Sequence, residues 1–284
     1  MSVRGQGVPP RHWLITGVSS GLGLALARAA LARGDVVAGT VRSEEARQQF
    51  AALAPGRSLA RVLDVTDHAA IQRTVADIEA ATGPIDVLVN NAGYALVGGV
   101  EEASAAEIRK QFEVNVFGAV AVMQAVLPFM RRRRRGRIVN ISSVSGLVGW
   151  PSLGIYSGSK FALEGISETL AQEVAELGIK VILIEPGGLR TDFSGRSAHP
   201  AQLSLADYDS TVGACKRILA EHAGHEQGDP RKAAEAILTV VDSPSPPLRL
   251  LLGSDAARYA VGKLEEQQKQ ISEWEALTHS IGFT

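Results

Sequence analysis

Short, mostly apolar runs recur along the first two thirds of the chain, each separated from the next by a stretch of helix length. His12 to Thr16 is the first, followed by Val36 to Val41, Leu59 to Val65, Ile85 to Val89, Arg137 to Ser142 and Ile179 to Glu185. They are continuously apolar rather than alternating, as strands are when both faces of a sheet are covered. Between them the pattern predicts helices over Leu22 to Ala32, from Ser43 onward, over Asp67 to Ala81, Ala105 to Arg133 and Ser157 to Leu177. Gly34 closes the first as a C-cap. Ser43 opens the second, with Glu44 and Glu45 in the first turn, where negative charge is favoured. Strands alternating with helices imply right-handed crossovers and one α/β domain built on a doubly wound parallel sheet.

The pattern loosens after Gly187. Residues 188–228 are polar and lack sustained periodicity apart from a possible helix near Val212 to Ala220. Such an excursion suits a substrate lid. Asp229-Pro230 then opens a helix with an N-cap and a proline at N1. Leu248 to Leu252 is a last strand candidate, and residues 253–284 read as a charged helical tail. No linker divides the chain, so residues 1–284 read as a single domain.

Composition narrows the function classes. The chain has 284 residues, 45% hydrophobic and 21% charged, with a formal net charge of −1. Nothing in that balance steers it to nucleic acid or to an anionic membrane. The first residues, Met1 to Arg11, show no apolar leader. Val114 to Met130 followed by Arg131 to Arg135 mimics a membrane stop. However, it is shorter than the ~20 residues a span needs, and it carries Asn115, Gln124 and Pro128. A buried or interface helix with a solvated basic end is the better reading. Cys215 is the single cysteine, which rules out an internal disulfide and points to a reducing, cytoplasmic compartment. The six histidines show no ligand spacing, so no catalytic metal is expected.

Thr16-Gly17-Val18-Ser19-Ser20-Gly21-Leu22-Gly23 joins the first strand to the first helix. A pyrophosphate sits well at a helix N-terminus, where free N–H groups and the dipole favour negative charge. Glycines there permit the tight turn and remove the Cβ atoms that would block the approach. The end of the second strand reads the ribose: a carboxylate would take the 2′-hydroxyl of NAD, an arginine the 2′-phosphate of NADP. The residue there is Arg42, which favours NADP(H). Glu44 and Glu45 keep NAD(H) possible.

Tyr156 and Lys160 stand four apart near the start of a helix, on one face. A nearby ammonium favours phenolate and would lower the tyrosine toward neutrality. The phenol could then exchange a proton with an alcohol or carbonyl oxygen. Ser143 ends the fifth strand at the carboxyl edge of the sheet, where ligands of such sheets bind.

Together these residues resemble the short-chain dehydrogenase/reductase family, on a Rossmann fold. The resemblance is carried by the glycine turn, Asp64, Asn90-Asn91-Ala92-Gly93, Asn115, Ser143, Tyr156, Lys160, and Pro186-Gly187 with Thr191. It implies Tyr156 as general acid/base, Lys160 as the group that lowers its pKa and holds the nicotinamide ribose, Ser143 as donor to the substrate oxygen, and Asn115 as the holder of a relay water. It implies cofactor contacts from Gly17, Ser19, Ser20, Gly21, Leu22, Gly23, Arg42, Asp64, Val65, Asn91, Ala92, Gly93, Tyr156, Lys160, Pro186, Gly187, Leu189 and Thr191, with Asn91 also bracing the central sheet. NADP-preferring relatives often carry a second basic residue where this chain has Ser20. The context of Ser143 and Tyr156 looks closest to the 17β-hydroxysteroid-dehydrogenase-like branch.

The expected function is therefore NADP(H)-dependent interconversion of a ketone or aldehyde and an alcohol. Leu147, Trp150, Leu153 and Phe193 would line the substrate pocket beside Ser143 and Tyr156. Tyr94, Leu96, Val148 and Leu189 complete an apolar wall, and Leu203 and Tyr208 of the lid would face substrate. The rival is a non-catalytic dinucleotide sensor on the same fold. It would be marked by loss of Tyr or Lys, and both are present. An epimerase or dehydratase would want a longer C-terminal part. A homodimer or homotetramer is expected, because the helices near Val114 to Met130 and Ser157 to Leu177 carry more apolar surface than one sheet face covers.

Overall fold

The computed structural model describes residues 9–193 and 195–283. The leader reading of residues 1–8 falls outside them, as do Ser194 in the lid segment and Thr284 in the tail.

The chain runs β1 (His12–Ile15), α1 (Gly21–Ala32), β2 (Val36–Val41), α2 (Glu44–Ala51), β3 (Ser58–Val62), α3 (His68–Thr82), β4 (Val87–Asn90) and β5 (Ala95–Val97). It continues through α4 (Ala105–Phe112), α5 (Ala119–Arg133), β6 (Gly136–Ile141), α6 (Gly154–Glu173), β7 (Ile179–Pro186) and β8 (Ala198–Pro200). It closes with α7 (Ala214–His222), α8 (Pro230–Asp242), β9 (Arg249–Leu252), α9 (Ser254–Glu273) and α10 (Glu275–His279).

Seven strands form one parallel sheet in the order β3-β2-β1-β4-β6-β7-β9. The order reverses at β1, leaving a crevice between the carboxyl ends of β1 and β4. Each face has its own core. One packs Leu26, Ala30, Ala234 and Ile237 of α1 and α8 on Ile15, Val37 and Ile182. The other packs Ile71, Val122, Val126 and Leu170 of α3, α5 and α6 on Leu14, Leu88 and Ile138. This two-sided covering is why the strands lack alternation.

Three expected elements differ from the sequence pattern. The helix over Ala105 to Arg133 is broken by a π-helical turn, Glu113–Gly118. A Cβ at Gly118 would lie 2.9 Å from the carbonyl oxygen of Val65, so the bare backbone lets this turn settle on the end of the third strand region. The run 105–133 is long and apolar enough by length and composition to cross a bilayer, yet half of its most apolar window is buried within the fold. Next, α6 begins at Gly154 rather than Ser157, which places Tyr156 inside it. The third difference lies in the polar segment 188–228, which contains β8. This three-residue strand pairs in parallel with β5, and both are too short for periodicity to reveal.

That segment is also tied down by acids of α4 and of the loop between β5 and α4. Glu102 is 2% exposed. It accepts from Gly99 N at 2.8 Å, from Leu205 N at 2.9 Å and from Lys216 Nζ at 2.7 Å. The Lys216 hydrogen bond, helped by the two amides, holds the Glu102 carboxyl at about 2. Glu107 accepts from Gln202 N at 3.0 Å. Tyr208 is engaged with Glu101 and Leu203 is exposed.

Candidate active site

The glycine turn occupies the crevice. Gly17 and Gly21 adopt positive φ of 73° and 60°, a region that side chains rarely tolerate. Gly23 is required by space: a Cβ there would stand 2.4 Å from both Asn91 Nδ2 and the Gly17 carbonyl oxygen. Asn91 Nδ2 donates to the carbonyls of Thr16 and Gly17, each at 2.9 Å, and the Asn91 and Ala92 amides donate to Thr16 Oγ1 at 3.0 Å. The end of β4 thereby braces the turn. Ser20 caps α1 without a side-chain hydrogen bond, whereas Ser43 caps α2 and Asp67 caps α3 through their side chains. The first amides of α1 are left for an incoming anion. Thr191 faces them from the loop after β7, its Cβ 3.8 Å from the place a Gly21 Cβ would take. A cradle of bare glycines and uncapped amides fits a dinucleotide pyrophosphate.

Arg42 follows β2, exposed, and makes no ion pair among the described residues. The competing acids are engaged within α2: Glu44 accepts from Arg47, at 2.7 Å from Nε, and Glu45 accepts from Gln49 at 3.1 Å. Asp64 is exposed, and its Oδ1 accepts from the Thr66 amide and hydroxyl at 2.9 and 2.8 Å. Val65 is buried against the Gly118 turn.

Tyr156, Lys160 and Ser143 converge at the carboxyl ends of β6 and β7. Lys160 Nζ donates to the Ile141 carbonyl at 2.8 Å and lies 5.8 Å from the centre of the Tyr156 ring. The Ser143 hydroxyl lies close enough to the Tyr156 phenol to lower its pKa and accepts from Ser145 N at 3.1 Å. Burial pushes the phenol up to about 12, against the lowering by Ser143. The direction is opposite to the lowering expected from Lys160, because burial disfavours the charged phenolate. The same burial brings Lys160 down to about 8, opposed by the Glu164 carboxylate one turn on.

Asn115 sits in the π-helical turn, a distortion frequent at functional sites. Its Nδ2 donates to the Tyr94 carbonyl at 3.0 Å and Ser159 Oγ at 3.2 Å, and its Oδ1 accepts from Tyr94 N at 3.1 Å. The side chain is thus committed to fixing the loop after β4 against α6.

Among the expected pocket residues, the Phe193 ring lies 5.8 Å from that of Tyr156. Leu147 and Leu153 are half-buried on either side of the turn before α6. Trp150 packs edge to face on Tyr259 of α9 at 4.6 Å. Two wall residues are corrected: Leu189 packs into the α1/α8 core, and Leu96 is buried, its amide donating to Gln111 Oε1.

The sequence reading missed Asp255. Its Oδ2 accepts from Gly188 N at 2.8 Å, and a Cβ on Gly187 would lie 2.3 Å from its carboxyl oxygens. A side chain at Gly187 would have to displace the Asp255 carboxylate from this place. Nothing local in the first turn of α9 signals this long-range role.

Residues 11–202 match the sequence model of the family described as short chain dehydrogenase. The chain is 41% identical over 267 residues to oxidoreductase BOA17 of Botryotinia fuckeliana, covering 94% of this chain and 97% of that one. It is 39% identical to a 3-ketodihydrosphingosine reductase of Bacteroides thetaiotaomicron, covering 86% and 88%. A short-chain dehydrogenase of Streptomyces avermitilis superposes with a TM-score of 0.90 at 42% identity, over 98% of this chain and all of that one. Two further structures hold the cofactors themselves: one from Burkholderia phymatum in complex with NAD, at 25% identity, and ElxO with NADP, at 27%.

Proposed function

The chain belongs to the short-chain dehydrogenase family, and from that premise we propose an NADP(H)-dependent reductase of apolar ketones with Tyr156 as its general acid. The convergence of Tyr156, Ser143 and Lys160 opposite the glycine cradle carries the reading. With the pyrophosphate held at α1, the cofactor would supply the hydride. The chain supplies position and proton. Gly17, Gly21 and Gly23 admit the pyrophosphate, Asn91 braces them, and Arg42 takes the 2′-phosphate. Ser143 and Tyr156 both reach the substrate oxygen, and Tyr156 Oη delivers the proton. Lys160 answers the phenolate that results. A phenol at about 12 is fully protonated at neutral pH, which suits the acid step of reduction.

The substrate class rests on the pocket. Leu147, Leu153, Trp150 and Phe193 offer mainly apolar surface, with the Trp150 indole N–H as their one polar group. One relative is named for 3-ketodihydrosphingosine, a ketone on a long apolar chain, which supports the same class. Exposed Phe117 in the π-helical turn before α5, with Phe161 and Ile166 on α6, supports a homo-oligomer through these two helices. The lone, partly buried Cys215 supports a cytoplasmic setting. Consumption of NADPH, with and without a panel of long-chain, aromatic and sugar ketones, tests the proposal. Turnover confined to sugars, or none with any ketone, would overturn it.

A further inference from the structure

Tyr156, Lys160 and Glu164 recur every fourth residue on one face of α6, so Glu164 continues the line of the proposed catalytic pair into the interior. Glu164 is 4% exposed and Glu185 of β7 is 1% exposed. Their carboxyl groups lie within hydrogen-bonding reach of each other. Oε1 of each is buried and accepts no hydrogen bond. Arg249 of β9 is the cation between them. Its Nε stands 3.1 Å from Glu164 Oε2 and 3.4 Å from Glu185 Oε1, and its Nη2 is drawn to Glu168 Oε2 at 2.6 Å. Ser142 Oγ, just after β6, is likewise buried without a hydrogen-bond partner. On α9, Asp255 is taken up by the Gly188 amide.

The charges do not balance if all are ionised. Three carboxylates, Glu164, Glu168 and Glu185, would face one guanidinium and the Lys160 ammonium. Two buried carboxylates in contact cannot both stay ionised, and their protons come off as a property of the pair. Burial, reinforced by the Glu164 charge, raises Glu185 to about 7, and burial raises Glu164 as well.

We propose that Glu164 and Glu185 share one proton and that this pair sets the charge facing Lys160, and with it the pH range in which Tyr156 and Lys160 act. They are positioning residues and touch no substrate. With one proton held, Glu164 keeps a carboxylate toward Lys160 and retains its ammonium. A second proton, gained in acid, removes that support. The effect on turnover rests on the function proposed above; the shared proton does not.

Two measurements test it. The first is carboxyl NMR of the full chain labelled with 13C at the glutamate side chains. A glutamate titrating near neutrality should appear in the wild type, and neither Glu164→Gln nor Glu185→Gln should retain it. Every glutamate ionised from about pH 5 upward would overturn the shared proton. The second is the pH profile of kcat/KM for ketone reduction. Glu164→Gln removes the carboxylate beside Lys160, so the alkaline limb should move down by about one pH unit. Glu185→Gln keeps that carboxylate, so its alkaline limb should stay in place. Identical limbs in wild type and Glu164→Gln would overturn the link to Lys160 even if the NMR shows the pair. If Glu164→Gln fails to fold, the wild-type and Glu185→Gln spectra still decide the shared proton. Full activity of Tyr156→Phe would sink the catalytic reading alone and leave the NMR result standing.

Discussion

Asp255 Oδ2 accepts the amide hydrogen of Gly188 at 2.8 Å, so the first turn of the C-terminal helix holds the loop that leaves β7. That loop carries Thr191 over the glycine turn and Phe193 over Tyr156. Asp255→Ala removes one charge-assisted hydrogen bond at an exposed site, worth about 1 kcal/mol. We expect roughly a five-fold rise in KM for the cofactor, with the melting temperature little changed. Steady-state kinetics beside a thermal melt checks this; an unchanged KM would show that the loop holds itself.

Gly23→Ala sets two effects against each other. Alanine in a helix gains roughly 0.5–1 kcal/mol over glycine. Here its Cβ would stand 2.4 Å from a backbone oxygen and from Asn91 Nδ2, and overpacking of this kind costs roughly 1–3 kcal/mol. The crowding wins because the Gly17 carbonyl cannot step aside without moving the turn. We expect lower thermal stability and at least a ten-fold weaker cofactor titration by fluorescence. A variant as stable as the wild type with equal affinity would contradict this.

Arg42 should govern cofactor choice. A guanidinium–phosphate hydrogen bond contributes about 1.5–3 kcal/mol, equivalent to roughly 10- to 150-fold in affinity. Arg42→Ala should raise KM for NADPH by at least about ten-fold and leave that for NADH nearly unchanged. Equal changes for both would make the residue structural only.

The Glu102–Lys216 pair should make the anchoring of residues 201–222 pH-dependent. Glu102 is held at about 2, below its ordinary 4.5. Its contribution to stability is therefore present above 4.5 and lost as pH falls from there toward about 2. Hydrogen exchange over 201–222 should quicken between pH 5 and pH 3 relative to the central sheet, and Glu102→Gln should abolish that difference. Exchange that falls equally in both segments would count against the anchor. Changes on binding NADP(H) should fall instead on residues 189–197, before β8.

The parts of the site that were legible from sequence are those written locally. The glycine turn, Ser143, Tyr156 and Lys160 each sit at a strand end or helix start, where spacing alone implies placement. Asp255 and Arg249 were not legible, because their roles arise when β9 and α9 close on β7, dozens of residues away. Glu185 hid in an apolar strand and Glu164 in an amphipathic helix, where a single acid gives no sign that it is buried. The π-helical turn at Asn115 alters hydrogen bonding without altering hydrophobic period. The lowered tyrosine expected from Lys160 failed because neighbouring charge could be counted in the sequence and desolvation could not.

The most direct test is Tyr156→Phe, assayed as NADPH consumption with an apolar ketone at saturating cofactor. General acid groups contribute roughly 10²–10⁴-fold, so kcat should fall by at least a hundred-fold while the cofactor titration stays near wild type. A variant retaining more than half of wild-type turnover would show that the proton comes from elsewhere.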